Sequence, residues 1–279
     1  MPDYRFSDAL NYTHEQLSQM FNESFTGYFF PMNTTAQQNA EFWRTEQIDS
    51  TRCVVMHDAA GTFVGLARMG TRGRRGWCGG FGIVPQFRGT GASKLLAAQM
   101  IQVARDTGLT TLQLEVLTQN TVAFKLYERV GFKTVRRLIG IEIETSALPA
   151  GVPLAQALQI YPVPNGPALM QNSDQIPASW GRELPTLLTI RTETVAVPTP
   201  DGRQNSLVVQ RAGTVLLIHS AVLQNDFTNA ELSTLLQQAA GDATKIQVYN
   251  EPENSPFLAR CRELGFSEFF SQYEMLLTL

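Results

Sequence analysis

Cysteine, histidine and charged residues are all scarce in this sequence. Its 279 residues include three cysteines and three histidines, and 17% of the residues are charged. Cys53, Cys78 and Cys261 lie far apart and without C-x-x-C spacing, so they predict neither a disulfide framework nor a zinc site. The histidines form no ligand pattern and no G-x-S-x-G occurs, which argues against metal-dependent and serine-hydrolase chemistry.

Long apolar runs and an excess of positive charge are also missing. No uninterrupted apolar stretch approaches transmembrane length, and the N-terminal residues lead into no targeting segment. The formal net charge of −3 gives no electrostatic footprint for nucleic acid. We therefore expect a soluble, cytoplasmic protein that binds neither membranes nor nucleic acid, with enough residues for two domains.

One basic cluster stands out, with Arg68, Arg72, Arg74 and Arg75 bracketing Gly73. We interpret it as a solvated hairpin turn. The alternative is that these arginines hold a phosphate of a cofactor or an acidic substrate.

The segment from Gly82 to Leu96, GIVPQFRGTGASKLL, predicts a strand, a tight loop and the start of a helix. Gly89 and Gly91 let the backbone approach a ligand because no Cβ intervenes. The amides from Arg88 to Ser93 would lie at a helix N-terminus, where unpaired N–H groups and the helix dipole favour an anion. The loop therefore predicts a phosphate or pyrophosphate site, although glycines that serve turn geometry alone would look the same.

A second motif downstream reads N-x-x-A-x-x-L-Y-E-x-x-G-F from Asn120 to Phe132. Together with Gln86-x-x-Gly89-x-Gly91, it resembles the GNAT superfamily of acyl-CoA N-acyltransferases. The pair of motifs is specific, whereas either half alone is not. The resemblance implies acetyl-CoA as the acyl donor and no metal. The residues it implies at the cofactor are Ile83, Val84, Gln86, Arg88, Gly89, Thr90, Gly91, Ala92, Ser93 and Asn120.

The resemblance also implies catalytic roles. Tyr127 matches the position whose hydroxyl often protonates the departing thiolate, and a phenol near pKa 10 is only slightly weaker as an acid than a thiol near 8.5. A helix tyrosine half in the core is the alternative, and Asn120 could equally be a plain N-cap. No Glu, Asp or His lies between residues 77 and 84, so Glu115 is the first candidate general base. Glu23 and His57, acting through water, are the alternatives.

Local signals predict the other elements. Thr13 with Gln16, and Thr35 with Gln38, form capping boxes at the start of two helices. The aromatic loop 28–31 between these helices would border the acceptor site in the resembled family, and core packing is the alternative. The predicted strands are 4–6, 52–56, 62–69, 77–84, 111–117 and 133–143, the last of which would complete the first unit.

The amino-acid composition changes between Ala147 and Pro185, a stretch that contains seven of the 14 prolines. We therefore predict domains at 1–146 and 147–279. The second resembles the first: Asn120, Gly131 and Phe132 recur as Asn254, Gly265 and Phe266, at a constant offset of 134. At that offset, Val222, Leu223, Asn225 and Cys261 replace Arg88, Gly89, Gly91 and Tyr127.

These observations predict a mixed α/β protein of two GNAT-like units, each with a central, mostly antiparallel twisted sheet flanked by helices. The first unit would transfer an acetyl group from acetyl-CoA to an amine of a small molecule or peptide. The second, a degenerate copy, would bind no coenzyme A. A non-catalytic coenzyme A sensor and a transferase of longer acyl chains are the alternatives. A monomer with pseudo-dimeric halves and a homodimer both fit this arrangement.

Overall fold

Two compact units make up the computed structural model of the chain, which describes residues 3–161 and 176–279. The first unit contains the residues up to Val135 together with Tyr273–Leu279, and the second contains Arg136–Gln272. The division between the units follows Val135, inside a continuous strand, whereas the predicted boundary was at residue 146. Part of the proline-rich stretch, residues 162–175, lies outside the described residues.

The first unit combines a sheet with helices that begin where their caps predict. Both capping boxes are present, with Thr13 and Thr35 each accepting a hydrogen bond from the third residue of its helix. Its helices are α1 (His14–Ser24), α2 (Ala36–Thr45), α3 (Ala92–Asp106) and α4 (Thr121–Arg129). Its strands are β1 (Tyr4–Ser7), β2 (Val54–Asp58), β3 (Phe63–Arg72), β4 (Arg75–Ile83) and β5 (Thr111–Leu117), followed by the start of β6 (Lys133–Glu144).

The sheet of the first unit is antiparallel from β1 to β4, and β5 then pairs with β4 in parallel. We expected β6 to complete this unit, but β6 from Arg136 onward belongs to the second unit. The place beside β5 is taken by the C-terminal part of β12 (Ser267–Thr278), and Leu279 N–H donates to Thr110 O at 3.0 Å. The first unit is therefore built from both ends of the chain.

The second unit repeats the same order of pairing. Its strands β7 (Gln159–Tyr161), β8 (Glu193–Pro198), β9 (Gln204–Ala212) and β10 (Val215–Val222) are antiparallel, and β11 (Lys245–Pro252) pairs with β10 in parallel. Within the described residues, its helices are α5 (Leu184–Leu187), α6 (Asn229–Ala240) and α7 (Pro256–Glu263). The starts of β5 and β11, and those of β6 and β12, are both 134 residues apart, which confirms the repeat.

The core of the first unit lies between α3 and the sheet. Met100 and Ala104 of α3 pack on Leu112 and Leu114 of β5. Met275, from the C-terminal segment, is fully buried in the same cluster. The C-terminal residues therefore contribute directly to the stability of the first unit.

Replacing Met275 by Ala should lower the free energy of unfolding by about 2–5 kcal/mol, because a buried side chain is lost and a cavity remains. Chemical denaturation followed by tryptophan fluorescence measures this change. The same substitution at Met32, which is 37% exposed, should cost less than about 1 kcal/mol. Equal effects of the two substitutions would contradict the assignment of the C-terminal strand to this core.

Candidate active site

Strands β4 and β5 pair over only part of their length. Their parallel register ends where Cys78 lies opposite Leu114, although β4 continues to Ile83 and β5 to Leu117. Beyond this point the strands part, and Gly79–Phe81 become half-buried in an otherwise buried strand. We call this opening the β4–β5 cleft. Sequence does not reveal it, because parting depends on where two distant strands stop pairing.

A β-bulge coincides with the opening of the cleft. Met69 of β3 pairs with Cys78, whereas the preceding Arg68 pairs with Gly80, so Gly79 is an extra residue on β4. A bulge bends its strand and leaves one residue outside the ladder. Here it redirects β4 at the residue where β5 leaves it.

The glycine loop lies at the end of β4. Gly89 and Gly91 have φ angles of +77° and +90°, a region that favours glycine, and a Cβ added to either would meet no heavy atom within 4 Å. Gly91 is the N-cap of α3, and no side chain caps this helix. Lys94 N–H donates to Gly91 O at 3.1 Å, whereas the amides of Ala92 and Ser93 precede the first bond of the helix and border open space. The predicted strand, loop and helix start are confirmed, and the chemistry of the loop suits an anion.

The side chain of Arg88 is bound to backbone carbonyls. Its Nε donates to Ile83 O at 2.9 Å, and its Nη2 donates to Ser24 O at 3.0 Å and to Thr26 O at 2.8 Å. The guanidinium thus ties the end of α1 to the end of β4.

Hydrogen bonds also occupy several other groups of the predicted cofactor site. Arg88 N–H donates to Pro85 O at 3.2 Å, which leaves the amides from Gly89 onward for a ligand. Val84 N–H donates to Val64 O at 2.9 Å. Gln86 and Thr90 are exposed on the loop, Ala92 is buried and Ser93 half-buried in the first turn of α3, and Ile83 and Val84 are buried at the end of β4.

Glu115 is the first residue of β5 beyond the paired part. Its Oε2 accepts a hydrogen bond from Trp77 Nε1–H at 2.6 Å, and its Oε1 is buried without a hydrogen bond of ordinary geometry. Burial raises the pKa of Glu115 to about 7, and the nearby carboxylates of Glu274 and Glu46 act in the same direction. A carboxyl group with this pKa can exchange a proton near neutral pH, as a general base must.

Tyr127 lies on α4, opposite the unpaired part of β4. Its ring contacts Phe81 edge-on and Phe132 at a tilt, with both centroid distances at 5.8 Å. Burial raises the pKa of Tyr127 well above its ordinary value, with smaller effects from Cys78 and Tyr28. The phenol therefore stays protonated at neutral pH. The Tyr127 ring lies in the core, as the alternative sequence interpretation expected. It also packs against Phe81 of the cleft.

Asn120 is the N-cap of α4, as the alternative interpretation had it. Its Oδ1 accepts a hydrogen bond from Ala123 N–H at 3.2 Å. Its side chain also hydrogen-bonds Tyr28, which opposes the rise that burial causes in the pKa of that tyrosine. Tyr28 comes from the loop between α1 and α2, where Phe29 and Phe30 are exposed. Through Tyr28, this aromatic loop reaches the N-terminus of α4.

Neither of the two alternative bases lies on a strand of the cleft. His57 is on β2, which pairs with β1 and β3, and its ring stacks on Tyr12. Glu23 is exposed on α1. Of the three candidates, Glu115 is the one on a cleft strand.

The basic cluster differs from its interpretation as a solvated turn. Arg74 and Arg75 are exposed at the turn as expected, but Arg68 is only 4% exposed and the Arg72 side chain only 7%. The interpretation is wrong for these two residues. The available signal was that Arg68 interrupts the apolar run FVGLARMG, where a solvated charge is out of place.

In the second unit, side chains occupy the helix start that corresponds to the glycine loop. Thr228, rather than Asn225, caps α6 there, and its N–H donates to the Glu231 carboxylate at 2.7 Å. A carboxylate at this helix end repels a phosphate. Cys261, in place of Tyr127, is fully buried on α7.

Within residues 3–161 and 176–279, no three His, Cys, Asp or Glu side chains group as metal ligands would. None of the helices in these ranges is long and apolar enough to cross a membrane.

Comparison with known proteins agrees with this geometry. Residues 15–132 match the Acetyltransferase (GNAT) family. A curated relative, the uncharacterized N-acetyltransferase YycN of Bacillus subtilis (strain 168), is 42% identical over 53 residues, which are 19% of this chain and 34% of that protein. The chain thus spans about a third of the length of that relative.

Two solved structures match nearly the whole chain in fold. A GCN5-related N-acetyltransferase from Sphaerobacter thermophilus has a TM-score of 0.71 at 15% identity, with 100% of this chain and 96% of that chain covered. A tandem GNAT protein from the clavulanic acid biosynthesis pathway has a TM-score of 0.69 at 15% identity, with 99% and 98% covered. At such identities, the likeness establishes the fold alone.

The cleft, the glycine loop and the family match all fall within the first unit, and the two solved structures match the fold of both units. Residues 15–132 of the first unit therefore form a GNAT acetyltransferase domain, and the whole chain matches a tandem GNAT protein in fold.

Proposed function

We propose that the first unit transfers an acetyl group from acetyl-CoA to the amine of a small molecule or peptide. The observation that carries this proposal is the β4–β5 cleft, with an open glycine loop at the end of β4 and Glu115 at the point where β5 departs. A long donor with a phosphate group and a reactive thioester suits such a cleft, and the family match supports acyl transfer in general.

The loop fits the pyrophosphate of coenzyme A. At Gly89 and Gly91 the structure leaves open space where any other residue would place a side chain, and the amides of Ala92 and Ser93 start a helix without a side-chain cap. These amides and the positive end of the helix dipole would hold the phosphates. The half-buried backbone of Gly79–Phe81 would then lie beside the thioester and stabilise negative charge on its oxygen.

Glu115 and Tyr127 divide the proton transfers. The amine nitrogen attacks the thioester carbonyl carbon, so that a C–N bond forms and the C–S bond breaks. Glu115 takes the proton that the nitrogen loses and later releases it to water, and the thiolate that leaves takes one proton from water. Because its pKa lies above that of a thiol near 8.5, the Tyr127 hydroxyl acts mainly by donating a hydrogen bond to the thiolate.

Gly91→Asp should abolish acetyl-CoA binding, because it places a carboxylate at the helix end that would hold the phosphates. Titration calorimetry measures the affinity, and the wild type should show one site per chain. Gly61→Asp is the matched control, since Gly61 has a φ of +86° and equally open surroundings in a distant turn. Equal affinities of wild type and Gly91→Asp for acetyl-CoA would refute the assignment of the glycine loop as the phosphate site. Two acetyl-CoA sites per chain would refute the prediction that the second unit binds no coenzyme A.

Tyr127→Phe should lower kcat about 100-fold while leaving the affinity for acetyl-CoA nearly unchanged, because only the hydroxyl is lost. A free-thiol assay against a panel of amines measures the rate. Tyr12→Phe removes a hydroxyl away from the cleft and is the control. If kcat stays within about twofold of the wild type, Tyr127 is a packing residue.

Glu115→Gln should remove most of the turnover, whereas Glu23→Gln and His57→Asn should retain it.

The Glu115→Gln variant also tests the raised pKa of Glu115. The folded-state pKa of Glu115, about 7, exceeds the ordinary value of 4.5, so folding favours its protonated form. Relative to the Gln variant, the wild type should therefore lose about 3 kcal/mol of stability as the pH rises from 4.5 to 7. Denaturation at several pH values measures this difference, and a constant difference would contradict a buried carboxyl group with a raised pKa.

A further inference from the structure

Arg68 is a buried cation without an anionic partner. No Asp or Glu side chain lies within ion-pair distance of its guanidinium in the described residues. Aromatic rings surround it instead, with Cζ 3.8 Å from the centroid of Phe21, 4.4 Å from Phe42 and 5.8 Å from Trp43. Burial lowers the pKa of Arg68 to about 10. Apolar side chains of similar volume often replace such buried charges without loss of stability, so packing alone does not account for this arginine.

The guanidinium is bound to the bulge of β4. Arg68 Nη2 donates to the carbonyl oxygen of Gly79 at 3.0 Å, and Nη1 reaches Asn39 Oδ1 at 3.5 Å. A Cβ on Gly80 would lie 2.7 Å from Arg68 Nε and 2.8 Å from Nη2. The glycine pair at the bulge therefore leaves the space that the guanidinium fills.

This contact has a physical consequence for the cleft. In a regular ladder, backbone carbonyls of one strand accept hydrogen bonds from amides of its neighbour. A carbonyl without such a bond costs free energy when it is buried. Arg68 supplies a donor to Gly79 O, so β4 and β5 can part there without leaving that oxygen unpaired.

The second unit reaches the same solution with a different residue. Its parallel strands also part at a bulge, because Ile218 and Ser220 pair with successive residues of β9 and leave His219 outside the ladder. The carbonyl oxygen of His219 accepts a hydrogen bond from Arg182 Nε at 2.7 Å. Arg182 comes from the segment before α5, whereas Arg68 comes from a neighbouring strand, so the two contacts are not copies of one ancestral contact.

The surroundings of Arg182 show what the second unit has lost. Trp180 is fully buried in the same segment, and Arg182 also donates to Asn250 O at 3.3 Å and pairs with Glu251. A cavity of about 150 Å³ remains beside this segment. The opening of the second unit is thus largely filled by its own chain, while that of the first has a half-buried, accessible backbone.

We propose that Arg68 is a positioning residue: by holding the carbonyl of Gly79, it fixes the bulge so that the backbone of Gly79–Phe81 meets the thioester carbonyl. This inference rests on the proposed function, because it takes acetyl-CoA as the occupant of the cleft. Arg68 is only 4% exposed and would act through the bulge, not by contact with the donor or the acceptor.

The test is Arg68→Met, which keeps an apolar stem and removes the donors. Infrared difference spectroscopy of bound acetyl-CoA, labelled with ¹³C at the thioester carbonyl, reports hydrogen bonding to that oxygen. In the wild type, the carbonyl band should lie at lower frequency than in water, and in Arg68→Met this shift should largely disappear. The value of kcat should fall about 10- to 100-fold, with KM for acetyl-CoA within about threefold. Arg68→Lys keeps one charged donor and should recover part of the band shift and part of kcat.

Arg74→Met is the control for loss of an arginine, since Arg74 is exposed and its Nε donates to Gly108 O, far from the bulge. Gly80→Ala provides a second way to displace the guanidinium if Arg68→Met does not fold, and it should give the same loss of the band shift. An unchanged band and unchanged kcat in a folded variant would overturn the positioning role while leaving the proposed function intact. Failure of the wild type to bind acetyl-CoA would instead refute the proposed function.

Discussion

The parting of two parallel strands is the constraint on which the first unit depends. Once β4 and β5 separate after Cys78 and Leu114, backbone groups that a regular ladder would satisfy must find other partners or stay accessible. The bulge at Gly79 and the hydrogen bond from Arg68 to its carbonyl oxygen lie at that separation, and Gly79–Phe81 are half-buried beside it. The same separation leaves backbone groups accessible within the sheet, and amides there can stabilise the negative charge that develops in the acyl transfer proposed above.

The charged groups around the cleft follow from its position in a buried sheet. Glu115 lies where β5 leaves its neighbour, and burial of its carboxyl group raises its pKa to about 7. Tyr127 is buried for the same reason and remains a neutral phenol. At the open end, Arg88 donates to backbone carbonyls of Ser24, Thr26 and Ile83 and so fixes the start of the aromatic loop next to the glycine loop. Desolvation, rather than a cluster of opposite charges, sets the proton affinities here.

The two units illustrate how one fold keeps or loses such a cleft. Both have a parallel pair that parts at a bulge, and both satisfy the bulge carbonyl with an arginine. In the second unit, however, Thr228 and Glu231 occupy the helix start, and Arg182, in the segment that contains Trp180, hydrogen-bonds the backbone of both β10 and β11 at the opening. The difference between the units is therefore one of side chains and a short segment, not of sheet topology.

Local features of this site were predictable from sequence, and non-local ones were not. The capping boxes, the strand-loop-helix around Gly91 and the N-cap at Asn120 depend on residues within a few positions of each other, and the structure confirms them. The end of the β4–β5 pairing, the burial of Arg68 and the place of Tyr273–Leu279 in the first unit depend on contacts between distant parts of the chain. Of these three features, the burial of Arg68 is the one that the sequence signals, because Arg68 is a charged residue within an apolar strand.

Hydrogen–deuterium exchange of the intact chain with and without acetyl-CoA tests the central claim most directly, because it locates the ligand on the backbone. The account predicts slower exchange at Gly79–Phe81 and Gly89–Ser93 when acetyl-CoA is present, and no change at the corresponding bulge and helix start of the second unit, His219 and Thr228. Protection in the second unit, or none in the first at saturating acetyl-CoA, would contradict the assignment of the β4–β5 cleft as the acyl-CoA site.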